Sequence, residues 1–168
     1  MAMLELPHTR GCLVCGQSNP HGLKLHLFVE PSTGAVRVDF TPRPEHIGFE
    51  GIVHGGILAT VIDEAMVWAA TWAGKRFCVC AELTVRYQKI APVGEPLTFE
   101  AIVKTSRSRL IETTCIVRNR SNEMAVEATG KYIPVAEVRS REFMNTFVNE
   151  PATHAASQLL RATNGEGV

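Results

Sequence analysis

The stretch spanning residues 57–73 is apolar or small at almost every position, and its only charged side chains are Asp63 and Glu64. A helix that is apolar on every side is normally buried. A membrane-spanning helix needs about 20 apolar residues, and each acid near its centre costs about 2.5–3.5 kcal/mol. The sequence therefore predicts a core helix that is wrapped by a sheet, and it predicts no membrane partner.

The two acids in this helix are candidate functional groups. An ionised carboxylate in apolar surroundings is costly unless hydrogen bonds, a partner or a wet cavity receive it. Burial also raises the pKa of a carboxyl group toward the range that suits a general base. Because Glu64 points about 100° away from Asp63 around the helix, the two acids are not expected to share one substrate face. A partnered or interface carboxylate is the simpler role for Glu64, and a substrate contact is the alternative.

The sequence His54-Gly55-Gly56 directly precedes this helix. The first backbone N–H groups of a helix have no partner inside it, and two residues without side chains leave those donors open to a ligand. The helix dipole adds positive potential, so the oxygen of a thioester or ester carbonyl would be stabilised there during attack. The motif thus suggests an oxyanion hole. It is equally compatible with a tight loop-to-helix turn and a packed His54.

The size and charge of the chain limit the number of domains and the kinds of partner that are expected. Its 168 residues fit one domain, and 17 basic and 17 acidic residues give a formal net charge of zero. No overall field would steer such a chain to nucleic acid or to an anionic membrane, so a small-molecule partner is expected. The first 12 residues lack a continuous apolar segment of the kind found in secretory signals, which predicts a cytoplasmic protein with five reduced cysteines.

Cys12 and Cys15 have the spacing of a metal knuckle or a redox pair. A structural zinc site usually has four ligands, and no second Cys-x-x-Cys follows, although His8 and His21 are near enough in sequence to be conceivable helpers. Plain packing or turn structure is therefore expected, with no bound metal.

Alternating apolar and polar residues predict strands before and after the helix. Residues 23–30 and 36–40 form a predicted hairpin, and four more strands follow between residues 83 and 135. No second helical segment is long enough to force parallel crossovers, so the sheet is expected to be mostly antiparallel. The predicted order of elements is two strands, one long buried helix and then four strands. This is the order expected of an α+β hotdog fold. We divide the chain into an N-terminal extension (1–19), this domain (20–136) and a C-terminal extension (137–168).

The runs PEHIGFEGIVHGGILATVIDEAM and CAELTVRYQKIAPVGEPL resemble the PaaI-type acyl-CoA thioesterases, and CLVCGQSNPHGLKL resembles the opening of one subgroup. The likeness covers roughly residues 12–135. It implies a hotdog fold, hydrolysis of an acyl-CoA thioester and no cofactor besides the coenzyme A of the substrate. It also implies a homo-oligomer, either a dimer or a dimer of dimers.

The resemblance also assigns roles to particular residues. It implies that Asp63 acts as general base or nucleophile, that the backbone N–H of Gly56 polarises the carbonyl, and that His54 orients the loop or contacts the thioester. The chain departs from the family at Gly48, where many relatives have an amide side chain, and at Cys80, where many have Thr or Ser. Cys80 is not expected to be a nucleophile, because no neighbouring histidine would activate it.

Arg107 and Arg109 lie in a predicted turn, where they could bind the phosphates of coenzyme A or could simply be solvated. The predicted catalytic residues are Asp63, Gly56 and His54, and the predicted substrate contacts are Gly55, Gly48, Glu64, Cys80, Arg107 and Arg109. Two alternatives to hydrolysis are a non-catalytic acyl-CoA-binding or regulatory protein and an acyl-thioester hydratase or dehydratase. The hydratase or dehydratase alternative lacks support because the sequence has no HFPG-type loop.

Overall fold

A computed structural model describes residues 2–162 of the chain. One long helix, α1, occupies Gly55–Gly74, as the apolar stretch predicts. The strands are β1 Leu4–Glu5, β2 Leu27–Val29, β3 Val36–Phe40, β4 Ile47–Phe49, β5 Ile52–Val53, β6 Cys78–Tyr87, β7 Leu97–Arg107, β8 Leu110–Arg118 and β9 Met124–Pro134. Two short helices follow, α2 Glu137–Met144 and α3 His154–Ala162.

Seven of the strands form one antiparallel sheet in the order β1-β2-β3-β7-β8-β9-β6, while β4 and β5 make a small hairpin just before α1. The sheet packs on α1 through alternating side chains, because successive residues of a strand point to opposite faces. Val61, Ile62, Ala65 and Met66 of the helix are fully buried against it. The predicted α+β hotdog fold, with a largely antiparallel sheet around a central helix, is confirmed.

The predicted strand at residues 23–30 is shorter in the structure. β2 covers only Leu27–Val29, because Lys24 has a positive φ of 57° that breaks the extended backbone. The N–H groups of Leu23 and Leu25 donate instead to the carbonyls of Leu13 and Val14, at 2.8 and 2.9 Å. The segment before β2 is therefore tied to the Cys-x-x-Cys region.

Both terminal segments pack onto the domain. The N-terminal one adds β1 to the sheet edge and buries Leu6 and Cys15 in the core. In the C-terminal one, Phe147 lies 5.6 Å from Phe77 and 6.0 Å from Trp68, measured between ring centroids. The predicted C-terminal extension runs to residue 168, and residues 163–168 lie outside the described part. No helix within residues 2–162 combines the length and the apolar character needed to cross a membrane.

Candidate active site

Asp63 lies near the middle of α1 on the side that faces β9. Its Oδ1 accepts a hydrogen bond of 2.8 Å from the phenol of Tyr132, whose ring is fully buried. Gly130 makes room for this ring, because a Cβ there would lie 2.8 Å from Cε2 of Tyr132. Burial, reinforced by the charge of Asp63, raises the pKa of Tyr132, so the phenol stays protonated and donates. One carboxylate oxygen of Asp63 is thereby fixed in place.

Cys80 joins this pair from the neighbouring strand. It sits opposite Tyr132 in the pairing of β6 with β9, and β6 is the edge strand of the sheet. Burial and the nearby charge of Asp63 raise the pKa of the Cys80 thiol. The structure thus brings two predicted residues, Asp63 and Cys80, together around a protonated tyrosine.

A second group of predicted residues meets at the start of α1. Nδ1 of His54 accepts the Gly56 N–H at 2.9 Å, so the imidazole caps the helix and occupies the donor that the sequence predicts to be open. The phenol of Tyr87 donates to the Gly55 carbonyl at 2.7 Å. Gly48 lets the β4–β5 hairpin lie close, since a Cβ there would be 2.9 Å from the His54 Cα. The N-terminus of α1 therefore brings together four of the predicted site residues: Gly48, His54, Gly55 and Gly56.

The two groups of residues are separated within one chain. Gly56 and Asp63 are seven residues apart on α1, which is about 10 Å along the helix axis. Arg107 and Arg109 lie at the opposite end of the helix, where Nη2 of Arg76 donates to the Ser108 carbonyl at 3.3 Å. A single chain therefore does not place the Asp63 carboxylate, the Gly56 N–H and these arginines around one substrate.

Glu64 points away from the pair formed by Asp63 and Tyr132. Its Oε1 accepts from Nε1 of Trp68 at 3.1 Å and lies 3.8 Å from Sγ of Cys12. Burial, with the negative charge of Cys12, raises the pKa of Glu64 to about 7. The expected partnered role fits this position, whereas a contact to a substrate at Asp63 does not. Within residues 2–162, Cys12, Cys15 and Glu64 are the only group of three metal-binding side chains whose ligand atoms converge.

The thiols of Cys12 and Cys15 differ in acidity. A hydrogen bond from Cys15, helped by backbone N–H groups, lowers the pKa of Cys12 to about 5 despite burial. The same hydrogen bond and burial raise the pKa of Cys15 well above its ordinary value.

Tyr132 belongs to the candidate site but is not among the residues that the sequence predicts. It follows Val126, Ala128 and Gly130 on the inward-facing phase of β9. A tyrosine at a buried position needs a hydrogen-bond partner for its hydroxyl, and that requirement was the available signal. Nothing in the local sequence indicates that the partner is Asp63.

Residues 50–126, which include the glycine turn, Asp63 and Cys80, match the model of the thioesterase superfamily. The matched stretch is somewhat less than half of the chain, and it is similar to the thioesterase superfamily. A crystal structure of the thioesterase superfamily protein RHA08564 superposes with a TM-score of 0.68 at 28% identity, covering 74% of this chain and 60% of that one. The predicted hotdog fold and the predicted resemblance to thioesterases are confirmed.

Other thioesterase-fold structures align more distantly. The Escherichia coli PaaI protein from the phenylacetic acid degradation operon has a TM-score of 0.62 at 19% identity, over 68% of this chain and 81% of its own. The smu.793 protein of Streptococcus mutans, bound to acetyl CoA, has a TM-score of 0.62 at 18% identity. The alignment covers 67% of this chain and 89% of that one. At these identities the superpositions show the shared fold.

Curated relatives of this chain include proteins named as an esterase or a thioesterase. A putative esterase of Archaeoglobus fulgidus is 28% identical over 66% of this chain and 71% of its own length. Acyl-coenzyme A thioesterase THEM4 of Xenopus laevis is 32% identical over 56% of this chain and 42% of its own. The chain therefore spans less than half the length of this second relative.

Proposed function

We propose that this protein hydrolyses an acyl-CoA thioester to a carboxylic acid and free coenzyme A. The observation that carries the proposal is the carboxylate of Asp63, which the buried phenol of Tyr132 orients at 2.8 Å inside a thioesterase-superfamily fold. The names of the acyl-CoA thioesterase relatives and the acetyl CoA bound to the Streptococcus mutans protein support the substrate class.

In the proposed reaction, the carboxylate of Asp63 attacks the thioester carbonyl carbon or removes a proton from a water molecule that does so. Tyr132 holds Oδ1 of Asp63 by its hydrogen bond, and Oδ2 is the oxygen that attacks or accepts the proton. The carbonyl oxygen becomes negative, and a backbone N–H at a helix N-terminus stabilises it. The carbon–sulfur bond then breaks, and coenzyme A leaves as a thiolate that takes up a proton. If an acyl-aspartate has formed, water hydrolyses it in a second step.

The N–H in this scheme belongs to Gly56 of a second copy, because Asp63 and Gly56 of one chain are about 10 Å apart along the helix. The edge strand β6 supplies a surface for that copy. Among residues 2–162, no strand pairs with its outer edge, and Val79 and Tyr87 on it are each 48% exposed. Pairing of two β6 strands about a two-fold axis would produce two equivalent composite sites in a homodimer. A dimer of dimers would contain the same unit.

His54 controls access to the Gly56 donor in this proposal. Its imidazole accepts the Gly56 N–H at 2.9 Å, so a thioester oxygen must displace Nδ1 to bind there. Gly48 and Gly55 add no side chains of their own near this donor. Arg107 and Arg109 remain proposed contacts for the coenzyme A phosphates, from the far end of α1.

A hydrolysis screen over short, long and aromatic acyl-CoAs, with the released thiol measured, tests the proposal. We expect turnover of at least one class, and Asp63→Asn should lower kcat by at least about 100-fold because the amide cannot accept the proton or attack. Asp39→Asn, which makes the same change at an exposed aspartate, is the matched control. Saturable acyl-CoA binding without hydrolysis by the parent protein would instead identify a non-catalytic binding protein.

A further inference from the structure

The Cys-x-x-Cys segment packs against α1 at Glu64, on a different face of the helix from the pair formed by Asp63 and Tyr132. The two sulfurs and a Glu64 oxygen all lie within 4.8 Å of one another. Cys15 is buried, whereas Cys12 and Glu64 are partly exposed to an adjacent cavity of about 500 Å³. Neither the thioester chemistry nor the core packing requires this convergence.

The backbone holds the first sulfur in a fixed position. The N–H of Val14 donates to Sγ of Cys12 at 3.4 Å, and the N–H of Gly16 donates to the Cys12 carbonyl at 3.1 Å. Only glycine fits after Cys15, because a Cβ on Gly16 would lie 2.4 Å from the Cys12 carbonyl oxygen. The turn is therefore preorganised, and little rearrangement is needed for both sulfurs to face one ion.

Glu64 supplies a third ligand atom at a suitable distance. Its two oxygens lie 3.8 and 3.9 Å from Sγ of Cys12. Around a tetrahedral zinc ion, with Zn–S near 2.3 Å and Zn–O near 2.1 Å, sulfur and oxygen ligands are about 3.5 Å apart. The indole N–H of Trp68 holds Oε1 at 3.1 Å, the kind of outer hydrogen bond that orients metal-bound carboxylates.

The surroundings favour a cation. Among the described residues that line the cavity, none carries a basic side chain, so two thiolates and a carboxylate would face one another without positive charge. The remaining side of the cluster opens into the cavity. Three protein ligands and one open position are the arrangement that binds zinc together with water or another small ligand.

We propose that Cys12, Cys15 and Glu64 bind one thiophilic divalent metal ion, Zn²⁺, with a fourth ligand entering from the cavity. The ion fastens the N-terminal segment to the middle of α1. Counting ligands along the sequence misses this site, because Glu64 is 52 residues from Cys12 and only the fold brings it near. Metal binding at these three residues is independent of the proposed hydrolysis.

The test uses reduced, metal-stripped full-length protein titrated with Co²⁺ and followed by absorption. We expect one equivalent to bind, with a sulfur-to-cobalt charge-transfer band, the intense visible bands of tetrahedral cobalt, and displacement by Zn²⁺. This measurement on the unmodified protein stands even if a variant fails to fold. Absence of stoichiometric binding, or a cobalt spectrum without thiolate bands, would overturn the proposal.

Variants then assign the ligands. Cys12→Ser and Cys15→Ser should each weaken Zn²⁺ binding by about 100-fold or more, and Glu64→Gln by at least about tenfold, since loss of even an outer partner costs about 10- to 100-fold. Cys115→Ala removes a buried thiol on β8, outside the cavity, and should leave the affinity unchanged. Circular dichroism checks that each variant is folded. Binding by folded Glu64→Gln with parent affinity would refute the three-residue site.

Discussion

The phenol of Tyr132 on β9 donates a 2.8 Å hydrogen bond to Oδ1 of Asp63 on α1, which links the sheet to the central helix at the proposed catalytic carboxylate. Because the ring is fully buried, its hydroxyl has no access to bulk water as an alternative partner. The bond therefore both satisfies the phenol and fixes the carboxylate.

Replacement of Tyr132 by Phe removes this bond and keeps the packing of the ring. We expect kcat to fall by about tenfold, the effect of losing one orienting hydrogen bond, with KM nearly unchanged. Steady-state kinetics with the best acyl-CoA substrate measure both constants. In an Asp63→Asn background, Tyr132→Phe should lower kcat much less, because the effect of Tyr132 on kcat depends on the Asp63 carboxylate. An equal loss in both backgrounds would show that Tyr132 does not act through Asp63.

Mixing two inactive variants tests whether the site is shared between subunits. Asp63→Asn lacks the carboxylate. Gly56→Pro lacks the N–H and places proline in the first helical turn, where the helix backbone accepts it and the His54 imidazole, 2.9 Å from a Cβ there, must move aside. After co-refolding, half of the dimers are mixed and one of their two sites is intact, so activity should return to about a quarter of the parent value. If each site lies within one chain, mixing will restore nothing. Circular dichroism of each variant alone is the control for folding.

Cys80 lies beside Asp63, and replacement by Ser tests whether its sulfur takes part in bond formation. Its thiol has a raised pKa, which disfavours the thiolate that a nucleophile needs. We expect Cys80→Ser to keep kcat/KM within about tenfold of the parent value, because only a weak hydrogen-bonding group changes. A loss as large as that of Asp63→Asn would identify Cys80 as the nucleophile.

Alkylation of the metal-free, reduced protein should distinguish the cysteines. Cys12, with a pKa of about 5, is a thiolate at pH 6.5, whereas burial raises the pKa of Cys78 to about 11 and that of Cys115 to about 12. Iodoacetamide should therefore modify Cys12 first, at a rate nearly constant between pH 6.5 and 8. Peptide mass spectrometry measures the order. Earlier modification of Cys115 at pH 6.5 would contradict the acidity order.

The hotdog fold could be predicted from the sequence because it depends on local regularities, and the same regularities place the proposed catalytic carboxylate of Asp63 on the buried helix. The apolar character of α1 on every side requires burial, and the alternation in β6 to β9 requires a sheet with one covered face. The spacing from His54 to Asp63 places Asp63 on the helix that His54 caps, so the resemblance to thioesterases can be assigned residue by residue.

Only the tertiary structure decided which side chains meet. Tyr132 reaches Asp63 from 69 residues away, and Glu64 reaches Cys12 from 52 residues away. Periodicity shows which face of a strand or helix is buried, but the partner across that face depends on strand register and on how the N-terminal segment docks. The pairing of Cys80 with Tyr132 in β6 and β9 is such a register, and it is set by the packing of the whole sheet around α1.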